Sequence, residues 1–200
     1  MAGQQLSGDG ARRLVYAGIG SRETPPEVLD IMTRLAAAME SLGYGLRSGG
    51  AKGADAAFEL GVSDPRNRTI YLPGDYFNGR RAGSGGYVNS QRLPGWPQAL
   101  QTVNEYHGAP YLLKDYARNL MARNAMQVLG PNLDAPAARV VAWAPGGYEG
   151  VGPVDPMARR GEGGTGQALR IARAYGVPIR NLANESTLQK AVEWLERIGQ

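Results

Sequence analysis

The chain has no cysteine, one histidine and three lysines in 200 residues. Without cysteine there is no disulfide framework and no thiolate nucleophile. His107 lies beside Tyr106 and Pro110, where a lone histidine is a structural group, and no nucleophile is placed to use it as a base. No His/Cys/Asp cluster has metal-ligand spacing, so neither a metal nor a cofactor is expected. Long apolar runs are missing too: none approaches the roughly 18 residues that a membrane span needs, which sets a membrane partner aside. The opening "MAGQQLSGDGARR" lacks an apolar h-region and reads as a polar tail, not a secretion signal, so a cytoplasmic protein is expected. Lys52, Lys114 and Lys190 are the only lysines, so the net charge of +4 and the pI near 9.5 rest on arginines spread along the chain. That balance permits a polyanionic partner without demanding one.

What the chain has instead is glycine, 29 residues of it, and three clusters follow apparent strands. The short apolar run "LVYAGIG" (14–20) ends in glycines, as a buried parallel strand does. In "TPPE", Thr24 and Glu27 have the spacing of a capping box, with Pro25 at the first helical position. Val28, Met32, Leu35, Met39 and Leu42 then recur at helical spacing up to Gly43. "YGLRS" and "RTIYLP" read as strands on either side of a short helix, "ADAAFELG". From Gly74 to about Pro97 the pattern dissolves into Gly, Asn, Arg and Tyr, a connection long enough to suggest a functional or mobile loop. A helix is expected over 112–129, a strand in "ARVVAWAP", a helix in "TGQALRIARAYG", a strand in "VPIRNL" and a last helix in "LQKAVEWLERIG". This alternation predicts an α/β fold: a Rossmann-like three-layer sandwich with a mostly parallel sheet of about five strands. Residues 1–13 are expected to be a tail and 14–200 a single domain.

Ligands of such sheets gather at the carboxyl ends of the strands, and all three glycine-rich stretches would open there. In "SGGAKGAD", Ser48, Gly49, Gly50 and Gly53 allow close backbone approach, and successive N–H groups can form a nest for phosphate at a helix start. Lys52 would add a point charge, and Asp55 could cap the helix or accept from a ribose hydroxyl. The plainer alternative is a tight turn with a solvated Lys52. The P-loop spacing is missing. In "GIGSRE", Gly20, Ser21 and Arg22 could serve the same ligand, with Arg22 as a bidentate clamp on phosphate. In "GGTG", Gly163 and Gly164 permit close approach and Thr165 caps the helix. "MARN" puts Asn124 on the stripe of Leu113, Ala117, Leu120 and Val128, where a polar side chain must be a partnered buried amide or a cleft residue.

Taken in order, "GIGSRETP", "LRSGGAKGADAAFELG", "MARN" and "GGTGQALRIARAYGVPI" resemble the SLOG superfamily over residues 14–182. That group includes the DNA-processing protein A family, the Lonely Guy phosphoribohydrolases and the YspA/YpsA-related proteins. The YspA-like elements "G-S-R", "G-G-A-x-G-A-D" and "R-N-x-x-M" match Gly20–Arg22, Gly49–Asp55 and Arg123–Met126. The resemblance implies a Rossmann-like sheet whose glycine loops bind a nucleotide-like small molecule, with Arg123 and Asn124 at the site, and a homo-oligomer. It also implies single-stranded DNA as a second choice of partner. The phosphoribohydrolase motif P-G-G-x-G-T-x-x-E is not intact here: laying Gly164-Thr165 on its G-T puts Ala168 where the catalytic glutamate belongs. Glu149 and Glu162 are the remaining acidic candidates for cleavage of an N-glycosidic or phosphate ester bond, and binding without turnover is the expected activity.

Overall fold

The computed structural model describes residues 13–150 and 163–199. The elements run β1 (Val15–Gly20), α1 (Pro26–Ser41), β2 (Gly45–Ser48), α2 (Ala54–Leu60), β3 (Arg68–Leu72), β4 (Tyr76–Phe77), β5 (Arg80–Arg81), β6 (Tyr87–Asn89), α3 (Trp96–Tyr106), α4 (Asp115–Leu129), β7 (Arg139–Trp143), α5 (Gly163–Ala174), β8 (Ile179–Asn181) and α6 (Glu185–Ile198). Six strands form one sheet in the order β6-β3-β2-β1-β7-β8, and every pair in it is parallel. β4 and β5 form a separate antiparallel hairpin, with Tyr76 opposite Arg81.

Side chains alternate across a strand, and both faces of this sheet are covered. Ala17, Ile19, Val140, Ala142 and Ile179 face α4 and α5, with α3 packed against that helix pair. Tyr16, Leu46, Ile70, Val141 and Leu182 face α1, α2 and α6. The fold is therefore a Rossmann-like three-layer α/β sandwich, with six strands where the sequence suggests about five. The sixth, β6, is three residues long and follows a Gly85-Gly86 pair, too short to show a period of two. The sequence pattern also gives no sign of α3, whose buried face is only Ala99, Thr102 and Val103. α4 starts at Asp115, later than expected, because Pro110–Leu112 turn as a single 3-10 segment.

The capping box at Thr24 does not form. A residue before proline is driven out of the helical region, so Pro25 is extended (ψ 144°) and α1 begins one residue later at Pro26. Thr24 instead donates its hydroxyl to the Ser21 carbonyl oxygen at 2.8 Å, tying together the loop after β1. No helix among the described residues is long and apolar enough to cross a membrane.

Candidate functional site

The loops after β1 and β2 are joined through their backbones at the carboxyl edge of the sheet. Ser21 donates its N–H to Trp143 O at 3.0 Å, and Ala54 donates to Ser21 O at 3.3 Å. Gly53 makes this approach possible: its φ is +79°, and a Cβ there would lie 2.6 Å from Ser21 O. α4 crosses behind the loops, and its second half, Ala122–Leu129, is buried throughout. The start of α5 closes the far side. Asn124 donates its side-chain amide to Gly164 O at 2.9 Å, and Gln167 donates to Met121 O at 3.2 Å.

These elements enclose a cavity of about 320 Å³. Nine of the residues expected at the site line it: Gly20, Ser21, Arg22, Asp55, Arg123, Asn124, Gly163, Gly164 and Thr165. Of the other seven, six are described and do not line it. The Ser48 hydroxyl is buried and donates to Gly18 O at 2.7 Å, stapling β2 to β1. Gly49 leaves room for α4, since a Cβ there would strike the Arg123 guanidinium and the Gln127 amide. Gly50, at φ +66°, offers its carbonyl to the Asn78 side chain at 3.1 Å. Gly53 supports the loop contact described above, and Lys52 is exposed outside the cavity. Glu149 is held elsewhere by the Asn181 N–H (2.9 Å) and the Thr187 hydroxyl (2.8 Å). Glu162, the other acidic candidate, lies outside the described residues, as do residues 1–12 of the expected tail 1–13; its last residue, Arg13, donates to Gly43 O, Tyr44 O and Asn67 Oδ1.

At the bottom of the cavity, Asp55 and Arg123 form a buried pair with Nη2 to Oδ2 at 3.7 Å. Burial raises the Asp55 carboxyl above its ordinary range, against the opposing effects of Arg123 and of the Ala51, Gly20 and Gly49 N–H groups. A helix-start position alone suggests the reverse shift; complete removal from water outweighs it. Two N–H groups of the expected phosphate nest, those of Gly49 and Ala51, are directed at the Asp55 carboxylate, Ala51 at 3.2 Å from Oδ2. Burial lowers the Arg123 pKa; Asp55 opposes that shift and the like charge of Arg22 adds to it. Even so, a guanidinium stays protonated.

Sequence patterning missed Gln127, which lines the cavity one helical turn after Arg123 and is 1% exposed. Its signal was legible in principle: a polar residue at i+3 from Asn124, inside the otherwise apolar run Ala125–Leu129. Leu120, Met121, Ile19, Pro145 and Ala168 supply apolar wall, and Glu23 stands at the rim. Among the described residues the carboxylates lining this space are Asp55 and Glu23. Ala168, buried in the wall, brings none. His107 ends α3 and accepts the Ala109 N–H at its own Nδ1 (3.1 Å), outside the cavity. No group of three or more His, Cys, Asp or Glu side chains could hold a metal ion among the described residues. The arrangement is thus rich in donors: two guanidinium groups, the buried side-chain amides and the backbone N–H groups that open α5.

A second, larger groove of about 670 Å³ lies between α1 and α6. Its floor includes Leu35, Met39, Val141 and Leu182. Among the described residues, Arg139, Arg180, Lys190 and Arg197 line it against a single carboxylate, Glu149.

No protein-family model matches this chain, and no curated protein matches it. Among solved structures, it is similar to DNA processing protein A from Helicobacter pylori, whose structure is described for its unique single-stranded DNA binding mode. The TM-score is 0.48 at 16% identity, and the match covers 84% of this chain and 64% of that one. The chain therefore spans less than two thirds of the length of the protein it matches.

Proposed function

We propose that the chain binds a nucleotide or nucleotide-derived small molecule in the cavity between the loop after β1, α4 and the start of α5. It would act there as a sensor, carrier or sequestering protein. The observation that carries this reading is the convergence of Arg22, Arg123 and the α5 N-terminus on one open cavity. Asp55 offsets the charge of Arg123. Arg22 and the α5 N–H groups remain to meet an anion, and a helix start favours negative charge. A volume of about 320 Å³ suits a ligand near the small end of the usual range, which begins at about 300 Å³. Thermal-shift measurement against mono-, di- and cyclic nucleotides, NAD and ADP-ribose tests it. Arg22 is exposed, so Arg22→Ala should fold normally and weaken a phosphorylated ligand by roughly tenfold or more. Lys52→Ala should change little. No stabilisation by any member of the panel would defeat the proposal.

Turnover is not part of this proposal. Cleavage of an N-glycosidic bond needs a carboxylate at the anomeric carbon, and Glu149 is tied to Asn181 and Thr187. Recovering the bound nucleotide intact after denaturing the complex supports binding alone; released base or phosphate would establish an enzyme.

Single-stranded DNA is the second reading, and its own observation is the groove lined by Arg139, Arg180, Lys190 and Arg197 beside the half-buried Trp194. Cations beside an aromatic ring suit a phosphate backbone and a stacked base. Retention of an oligonucleotide should then fall steeply with salt, because each neutralised phosphate releases counterions. No retention at low ionic strength would dismiss it.

A further inference from the structure

A third hollow, of about 350 Å³, lies at the opposite edge of the sheet from the cavity. Val15, Gly45 and Arg68, the first residues of β1, β2 and β3, line it, so it opens at the amino ends of the strands. Its floor is the α4 face of the sheet. Arg47 is in register with Ala17 on β1 and with Thr69 on β3, and Tyr71 follows two residues after Thr69 on the same face. Arginine is seldom placed on the covered face of a parallel sheet. Here it is held in place: Arg47 Nη1 donates to Ala135 O at 2.6 Å, and Gly130 makes room for the guanidinium, which would lie 3.1 Å from a Cβ there. Arg13, Arg66 and Arg68 also line the pocket, and among the described residues no carboxylate does. Asp64 pairs with Arg66 at 2.7 Å from outside the lining. Arg13 donates to neutral oxygens of Gly43, Tyr44 and Asn67, and Arg68 to those of Gly85, Glu59 (its carbonyl) and Tyr87. A cleft lined by one sign of charge focuses the field into it and concentrates ions of the other sign.

Charge is only half of the lining. Val88, Leu93, Pro131 and Tyr71 give the pocket an apolar wall, against which inorganic phosphate has nothing to place. Tyr71 is 1% exposed, and its hydroxyl makes no hydrogen bond among the described residues. A buried tyrosine hydroxyl usually has a partner. Burial pushes its pKa up to about 12, against the opposing charge of Arg47, so at neutral pH the phenol is a donor. We propose that this amino-edge pocket binds a small organic anion, a carboxylate or phosphate carried on an apolar body about the size of one ring. The anionic group meets Arg47 and the Tyr71 hydroxyl, and the apolar body lies against Val88, Leu93 and Pro131. Arg13 and Arg66, exposed at the rim, attract the ligand. A volume of about 350 Å³ suits so small a ligand, since ligand pockets begin at about 300 Å³. The pocket shares no lining residue with the nucleotide cavity or with the basic groove, so it stands apart from both readings above.

Calorimetric titration of the full chain with benzoate, phenyl phosphate, inorganic phosphate and phenol tests it. Benzoate or phenyl phosphate should bind roughly tenfold or more tightly than both inorganic phosphate and phenol, and the tighter of the two identifies the anionic group. Tyr71→Phe removes a hydroxyl that has no protein partner, so thermal stability should hold or rise while affinity for the aryl anion falls several-fold. Arg47→Gln keeps an N–H donor for Ala135 O and removes the charge, which should weaken binding by roughly tenfold or more. Arg22→Ala, in the other cavity, should leave this affinity unchanged. Inorganic phosphate binding as tightly as the aryl anions would reduce the pocket to a charged surface, and phenol doing so would reduce it to an apolar hollow. Either result overturns the proposal, as does binding by none of the four. So does binding that Tyr71→Phe and Arg47→Gln leave intact. Each of these results leaves nucleotide binding at the carboxyl edge untouched, because the two sites have no residue in common.

Discussion

Removing the Arg123 guanidinium would strand the Asp55 carboxylate in the interior, and removing Asp55 would strand the guanidinium. Breaking one side of such a pair costs about 3–5 kcal/mol, because the surviving charge has no water to return to. Arg123→Ala should lower the urea midpoint accordingly, and Asp55→Ala should do the same. A measured loss under about 1 kcal/mol would mean that water reaches the pair. Glu40 presents the opposite electrostatics near the surface. Burial is the largest single influence and raises its pKa, but the Ser63 and Asp64 N–H groups, Asn67 and the Ser63 hydroxyl all hydrogen-bond the charged form and together bring it down to about 2. Its folded pKa lies below the unfolded value, so its stabilisation is complete above about pH 4.5 and disappears as pH falls towards 2. After allowing for solvent screening, about 1–2 kcal/mol is at stake. Glu40→Gln should remove that acid dependence in unfolding curves taken between those pH values.

The elements are placed by close approaches as much as by apolar stripes. β1 packs against α2 because Gly18 has no side chain: a Cβ there would lie 2.6 Å from the Phe58 ring and 2.9 Å from a Leu46 methyl. Gly18→Val should therefore overpack this layer, cost about 1–3 kcal/mol and displace α2 together with the Asp55 it carries. Thermal unfolding checks the first effect, and loss of the nucleotide-induced shift checks the second. The β4–β5 hairpin braces the same region from the other side. Asn78, one of the non-glycine residues with positive φ (+47°), donates to Gly50 O, and Arg80 pairs with the buried Glu59 at 2.8 Å. A stretch without periodicity thus has a definite structural task, holding the second glycine loop in place.

Across the whole molecule, the two candidate sites lie on different faces. The cavity belongs to the carboxyl edge on the α4–α5 side, and the basic groove lies under α1 and α6. Substitutions at sites with no shared partners add independently. Lys190→Glu with Arg197→Glu should abolish low-salt oligonucleotide retention and leave the nucleotide thermal shift unchanged, whereas Arg22→Ala should do the reverse. If both signals fall together in either variant, one ligand spans both faces and the two-site description fails.

By itself the sequence determined the three-layer α/β class, the parallel sheet and the helices with strong stripes, because short apolar runs and period-3.6 burial are local properties of consecutive residues. It also identified the loops that would meet, since a glycine cluster after a strand limits what the backbone there can do. It could not determine which polar groups in those loops remain available to a ligand. In "SGGAKGAD" the fold turns the Asp55 carboxylate back onto the Gly49 and Ala51 N–H groups, a pairing that the stretch alone does not show. Gln127 looks like an ordinary helix residue until Gly49 admits it to the cavity wall. Lys52 and Glu149, conspicuous as charges, are directed elsewhere by their surroundings. Whether a buried group is free or already paired depends on partners distant in the chain, as Asp55 and Arg123 show. Only the tertiary structure brings such partners together.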